Sequence, residues 1–286
     1  MKFSLVSGTG NVFALFDGFR EELPEDPAAA ARDLCGETLS ELSGVETTPH
    51  SEVRLDGVLL LLPPRERGHC RMVVHNADGS RPESCGNGLR CIAMIARERE
   101  HVGSDDFDIE TDAGLRAARV LRDGAGKIIG AQISMGEPRI GDRRVTLKTA
   151  HGALEVTLVD MGNPHCVLFV HDDRDAPVHS LGAELERHRH FPARTNVEFV
   201  RVGADGLSMR VWERGVGETA ACGTGACAAA VAAVVTQRAS TPLDVKLPGG
   251  VLRIDWDGKA GEVRMSGACE TLAAVEWRAP LSRVVS

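Results

Sequence analysis

The sequence predicts an α+β fold made of two related halves. Three observations predict it. A Cys-Gly-x-Gly turn running into a helical pattern occurs twice, at Cys85-Gly86-Asn87-Gly88 and at Cys222-Gly223-Thr224-Gly225. A Gly-Asn pair leading into an apolar run also occurs twice, at Gly10-Asn11 and Gly162-Asn163. The short runs that read as strands keep the same order around each copy. Recurrence of this kind marks an internal repeat and is settled before any fold is assigned.

Asp26-Pro27 opens the first helix, residues 26–35, with Asp as N-cap and Pro at the first helical position. Residues 58–62 form an apolar run closed by Pro63-Pro64, which reads as a buried strand, and 71–74 form a second. Asn76-Ala77-Asp78-Gly79-Ser80 is a turn. In the helix after Cys85, Leu89, Ile92, Ala93, Ile95 and Ala96 recur at helical spacing. Weaker strand patterns cover 107–110, 115–121 and 130–135. The second half repeats the order. Residues 163–169 match the run after Gly10, 180–188 match the first helix, and 196–200 and 207–212 match the paired strands. After Cys222, residues 226–235 are small or apolar on every side, which suits a helix buried all round. Strands at 243–247, 251–254 and 262–266 follow.

The two Gly-Asn pairs are 152 residues apart and the two turn cysteines 137, so the halves differ in loop length. The division is expected in Arg122-Asp123-Gly124-Ala125-Gly126. This gives an N-terminal domain of residues 1–125, completed by about 270–286, and a C-terminal domain of 126–269.

The 286 residues are 43% hydrophobic and 26% charged, ample for a buried core. A formal charge of −8 with no basic run argues against nucleic acid and anionic membrane as partners. No apolar run is long enough to span a bilayer, and the first ten residues lack the apolar segment of a secretory signal. A cytoplasmic protein is expected. The eight cysteines contain no Cys-x-x-Cys and no zinc-like spacing, so free thiols are expected and no metal.

Cys85 and Cys222 stand where a helix begins. The unpaired N–H groups and the dipole there favour negative charge, which lowers a thiol pKa. The same N–H groups can hold a carboxylate. Two matched thiols suit inversion of a carbon centre. A thiolate removes a proton from one face while a thiol returns one to the other. Cys35, Cys70, Cys91, Cys166, Cys227 and Cys269 read instead as buried, inert small hydrophobes.

Five stretches together carry a resemblance: Asn76 to Ser80; Cys85 to Cys91; Met161-Gly162-Asn163-Pro164-His165; Arg194-Thr195-Asn196-Val197-Glu198-Phe199; and Trp212-Glu213-Arg214-Gly215 through Ala226. In order and over nearly the whole chain, the sequence resembles the diaminopimelate epimerases. The resemblance implies two pseudo-symmetric domains, each a curved, mainly antiparallel sheet around a central helix, with the active-site cleft between them. It implies a dimeric enzyme of lysine and cell-wall synthesis. That enzyme interconverts LL- and meso-diaminopimelate without pyridoxal phosphate or other cofactor. It implies Cys85 and Cys222 as the acid/base pair, with His165 and Glu213 tuning their ionisation. Gly86, Asn87, Gly223 and Thr224 would offer backbone to the substrate carboxylate. Asn11, Asn76, Asn163, Asn196, Glu213 and Arg214 would hold the rest of the substrate.

The sequence departs from the family pattern at Ser7 and Val12, where His and Asp are usual, and at Glu52-Val53-Arg54-Leu55 before Asp56. Gly57 stands where some members carry Gln. Two competing readings remain at this level. One is a racemase for another amino acid on the same scaffold; the other is a thiol redox or metal-binding protein using the eight cysteines.

Overall fold

The computed structural model describes residues 1–36, 38, 41, 54–83 and 85–277. Glu52 and Val53 of the departing motif, Ser84 beside the first turn cysteine, and the segment 278–286 lie outside the described residues. The chain divides into two compact units, residues 1–131 with the segment from 268 onward, and residues 132–267.

The first unit runs β1 (Lys2–Gly8), β2 (Asn11–Asp17), α1 (Pro27–Gly36), β3 (Gly57–Leu62), β4 (Cys70–Asn76), α2 (Gly86–Glu98), β5 (Asp106–Thr111) and β6 (Gly114–Arg122). Strand β7 (Ile128–Ser134) crosses the division. The sequence anticipates α1 well, and the Asp26 carboxylate accepts from the Ala28 and Ala29 N–H groups as an N-cap should. Neighbouring strands alternate in sense: β1–β2 antiparallel, β2–β3 parallel, β3–β4 antiparallel, β4–β5 parallel, β5–β6 antiparallel.

The second unit contains β8 (Arg139–Ile140), β9 (Val145–Thr149), β10 (Gly152–Asp160) and β11 (Pro164–Phe169). A π-helical turn (Val178–Gly182) runs into α3 (Ala183–Glu186). Then come β12 (Asn196–Gly203), β13 (Gly206–Glu213), β14 (Gly217–Thr219), α4 (Gly223–Val235), β15 (Leu243–Leu247), β16 (Gly250–Asp255) and β17 (Arg264–Glu276). The senses repeat those of the first unit: β10–β11 antiparallel, β11–β12 parallel, β12–β13 antiparallel, β13–β15 parallel, β15–β16 antiparallel. The duplication read in the sequence is therefore a duplication of topology. Strand β17 serves both units: Arg264 to Gly267 pair with β16, and Cys269 to Glu276 pair with β1.

Each unit is a sheet bent around one helix. α2 packs on β1, β2, β3, β4 and β6, and α4 on β10, β11, β12, β13, β15 and β16. A sheet that touches one helix along so many strands must curve around it. In α4 the small and apolar residues from Gly225 to Ala233 are buried on every side, as the composition requires. α2 goes further than its apolar stripe predicts, because Asn87 and Arg90 are buried as well. Asn87 donates to Asn11 Oδ1 and the Arg90 guanidinium donates to Thr9 Oγ1, while Asn87 Oδ1 is buried with no hydrogen-bond partner. Buried polar groups persist where such partners exist.

The other face of each sheet is covered by the first helix of its repeat. Val12, Ala14, Phe16, Val58 and Leu60 pack with Ala30, Ala31 and Leu34 of α1. Cys166, Leu168, Val197 and Phe199 pack with Leu181 and Leu185. Strand side chains alternate between faces. Leu59 and Glu198, lying between those outward residues, therefore turn inward to α2 and α4. Strands β1, β8, β9, β10 and β14 were not expected from the sequence. β8 and β14 are too short to carry a pattern, and β9 with the first half of β10 form a hairpin with few buried residues.

Candidate active site

The strand-to-helix turns place Cys85 and Cys222 as N-caps of α2 and α4. Their backbones are extended, at φ −142°, ψ 111° and φ −132°, ψ 109°. Each sulfur accepts from the N–H three residues on, Gly88 or Gly225, at 3.4 Å. The thiols thus take the place usually held by Ser or Asp at a helix start. The N–H groups of Gly86, Asn87, Gly223 and Thr224 fall in the first helical turn, where no intrahelical acceptor exists.

In the second unit a group of polar side chains gathers around Cys222. His165 and Glu198 are fully buried, with Glu198 Oε1 2.6 Å from His165 Nδ1. His165 Nε2 is 2.9 Å from Asn163 Oδ1. The Asn163 amide donates to Thr224 Oγ1 at 3.4 Å, and Thr224 Oγ1 lies 3.6 Å from Cys222 Sγ. Glu213, half-buried at the end of β13, accepts from the Thr219 hydroxyl. Asn196 spends its amide on backbone: Nδ2 donates to the Pro164 carbonyl at 3.0 Å, and Oδ1 accepts from the Arg214 N–H at 2.9 Å. Glu186 anchors the same turn through the Gly215 N–H at 2.9 Å. Arg214 is exposed, with Nη1 on the Ala193 carbonyl at 3.2 Å.

Burial pushes the Cys222 thiol well above its ordinary range, and the Glu213 and Glu198 carboxylates push the same way. The Thr224 hydroxyl and the Gly225 N–H pull it down. This reverses the shift that a helix start alone predicts. The reason is that the sulfur is removed from water beside two acids, and these outweigh a few N–H dipoles. Burial also pushes Glu198 up, opposed chiefly by His165.

The family model for diaminopimelate epimerase matches residues 3–141 and 157–271. The chain is 43% identical over 290 residues to a diaminopimelate epimerase of Desulforudis audaxviator, covering 97% of this chain and 99% of that protein. It is 39% identical over 280 residues to one of Moorella thermoacetica, covering 93% and 95%. The chain belongs to the diaminopimelate epimerase family. It is accordingly an isomerase of the epimerase and racemase type. A solved structure of a probable proline racemase from Agrobacterium radiobacter has the same fold, with a TM-score of 0.69 at 17% identity over 99% of this chain and 94% of that one.

Of the residues this family resemblance singles out, the second unit brings Asn163, His165, Asn196, Glu213, Arg214, Cys222, Gly223 and Thr224 into one neighbourhood. The first unit joins Asn11 to Asn87 and sets Cys85 and Gly86 beside them. Asn76 is exposed at the end of β4, with its amide on Ser80 Oγ at 2.9 Å. Asn76 and Glu213 are counterparts: Asn76 ends β4 and Glu213 ends β13, each nine residues ahead of the capping cysteine. Gly57 admits nothing larger, because a Cβ there would lie 2.3 Å from the His75 carbonyl oxygen.

Sequence reasoning missed Glu198 and Asp56. Glu198 left a signal, a charged residue amid the apolar run 197–200, but its partner His165 lies 33 residues away. Asp56 accepts from the Val12 N–H at 2.7 Å and bonds Asn11, which steadies the departing N-terminal motif. Burial raises its pKa.

Proposed function

We propose that the protein interconverts LL- and meso-diaminopimelate without a cofactor, with Cys85 and Cys222 as the two bases. The observation that carries this reading is the matched N-cap geometry of two thiols, one per repeat, in a member of this family. The reading requires both sulfurs to flank one α-carbon. The thiolate of one takes the α-proton, and the electron pair left on carbon delocalises into the adjacent carboxylate. The thiol of the other delivers a proton to the opposite face. The pair ends with thiol and thiolate exchanged. The N–H groups of Gly86, Asn87, Gly223 and Thr224 hold the reacting carboxylate and meet the charge that develops on it. Glu213 and the Asn11, Asn76 and Asn163 amides suit the ammonium groups, and Arg214 suits the distal carboxylate with its planar fork. Asn196 contributes by fixing the turn that carries Glu213 and Arg214. The enzyme works as a cytoplasmic homodimer in lysine and cell-wall biosynthesis.

The test is racemisation of LL-diaminopimelate in D2O by purified protein, after dialysis against chelator and a carbonyl reagent. The expected result is formation of the meso isomer with one deuterium at the inverted carbon. Lysine, which lacks the distal carboxylate, should be a very poor substrate. A site built to bond a group can reject the analogue lacking it by about 10⁴. Equal turnover of lysine would replace this reading with a general amino-acid racemase. Activity restored only by metal or pyridoxal phosphate would remove the two-thiol chemistry.

A further inference from the structure

The matched turns that begin at Asn76 and Glu213 close in the same way but differ in the middle. The Gly79 N–H donates to the Asn76 carbonyl at 2.8 Å, and the Val216 N–H donates to the Glu213 carbonyl at 3.1 Å. Each is a four-residue turn. In the first unit its third residue is Asp78, which does not take a positive φ; in the second it is Gly215, at φ +79°. A third residue near +80° marks a type II turn, and one near −90° marks a type I turn. The two types differ by a half-rotation of the central peptide. Within its own turn, the Arg214–Gly215 peptide is therefore turned over relative to its counterpart, Ala77–Asp78.

The turned-over peptide meets a buried acid. Glu186, at the end of α3, is 2% exposed. Its Oε1 accepts from the Gly215 N–H at 2.9 Å, and its Oε2 accepts from the Trp212 indole N–H at 2.9 Å. Burial pushes its pKa up, but these two bonds and the Arg194 and Arg187 charges outweigh it and hold the carboxyl below its usual value. The group is a carboxylate, and each oxygen holds one end of the segment from Trp212 to Gly215. Gly182 lets the indole in: a Cβ there would lie 2.7 Å from Trp212 Cβ.

Burying a carboxylate is costly, and a turn can close without one. The first unit's turn is held by bonds among its own residues: Asn76 donates to Ser80 Oγ, and the Ser80 N–H donates to Asp78. What the second turn carries accounts for the difference. Glu213 is still fixed by strand pairing with Gly217, whereas Arg214 lies beyond that pairing. The Arg214 N–H goes to Asn196 Oδ1 at 2.9 Å and the next N–H goes to Glu186, so the backbone is held on both sides of the Arg214 α-carbon.

We propose that Glu186 is a positioning residue for substrate specificity: it holds the Arg214–Gly215 peptide turned over, and so aims the Arg214 guanidinium at the distal carboxylate of the substrate. The inference rests on the reading that Arg214 binds that carboxylate. A clamp on the distal end holds substrate and transition state alike, so its loss appears in KM and not in kcat.

The test is steady-state racemisation of LL-diaminopimelate by wild type, Glu186→Met, Arg214→Met and the double variant, with melting curves to confirm folding. Met keeps the length of the side chain and removes both acceptors. The expected result for Glu186→Met is KM raised at least about tenfold, with kcat within about threefold of wild type. In the Arg214→Met background the same change should add less than about threefold, because two parts of one clamp do not add. An unchanged KM, a loss carried by kcat, or the full penalty repeated without Arg214 overturns the proposal. A milder variant guards against misfolding: Trp212→Phe with Glu186→Gln removes the charge and the competing indole donor but leaves an amide oxygen for the Gly215 N–H. It should keep KM within about threefold of wild type. A tenfold rise there would assign the effect to the charge rather than to the bond with Gly215, and would also overturn the proposal. If Arg214→Met leaves KM unchanged, the reading of Arg214 as the carboxylate clamp fails. If Arg214→Met raises KM while Glu186→Met does not, only the positioning role fails.

Discussion

Cys85 and Cys222 cap their helices with nearly the same backbone angles and the same sulfur-to-amide bond, although 137 residues separate them. Inversion by proton exchange needs an acid and a base at once. Cys85→Ala and Cys222→Ala should therefore each reduce racemisation by at least about 10³-fold, since each removes one partner of the proton transfer. Cys91→Ala and Cys227→Ala, in the buried bodies of α2 and α4, should keep turnover within a few-fold. Assays of the four variants, with melting curves to confirm folding, check this. Near-normal turnover in either capping variant would contradict the assignment.

Glu213 should act on Cys222 as a nearby negative charge. Burial is the main reason the Cys222 thiol stands high, and the Glu213 carboxylate adds repulsion. The Glu213 carboxylate accepts from the Thr219 hydroxyl, a bond that Gln can keep, so Glu213→Gln chiefly removes repulsion. The alkylation midpoint of Cys222 should fall by roughly one unit. Turnover should fall as well if Glu213 holds a substrate ammonium as proposed. An upward shift would show that Glu213 supports the thiolate.

Asn196 is best tested as an anchor. Its amide joins the Pro164 carbonyl to the Arg214 N–H. Asn196→Leu strands both backbone groups, at a cost of about 1–3 kcal/mol. A displaced Glu213–Arg214 turn should also lower kcat/KM roughly 10²-fold. Urea unfolding and steady-state kinetics together measure it. A stability loss with unchanged kinetics would confine Asn196 to the fold.

Asp17 concerns stability alone. Its carboxylate is fully buried, bonded by Arg99 at 2.8 Å and His101 at 2.8 Å. Burial pushes its pKa up, but the bonds from Arg99, His101 and the Phe19 N–H outweigh this and hold it below the usual carboxylate value. A lowered folded pKa gives stability that is complete above the unfolded value and is lost as pH falls through the folded one. Asp17→Asn should cost about 2 kcal/mol near neutral pH, less than a fully enclosed pair because Arg99 can reach water. The gap from wild type should shrink below about pH 4, the unfolded carboxylate value. Urea unfolding at pH 7 and pH 3 checks the sign.

The sequence by itself determined the repeat, the central helices and the two capping cysteines. These are local signals: a Cys-Gly-x-Gly turn, an apolar run of helical length and an Asp-Pro helix start are each written within about ten residues. The reading that a helix start lowers both thiols was local too, and for Cys222 tertiary structure decided otherwise. The dipole that lowers a thiol at a helix start is visible in sequence. The burial and the Glu213 and Glu198 charges that raise Cys222 come from strands brought beside it by folding. The same holds for Asn196, which reads as a ligand in its motif yet has its amide committed to Pro164 and Arg214. Glu198 is the clearest case. In sequence it is one acid in an apolar run. Only the parallel pairing of β11 with β12 sets it against His165, because strand register, not sequence distance, chooses which side chains meet.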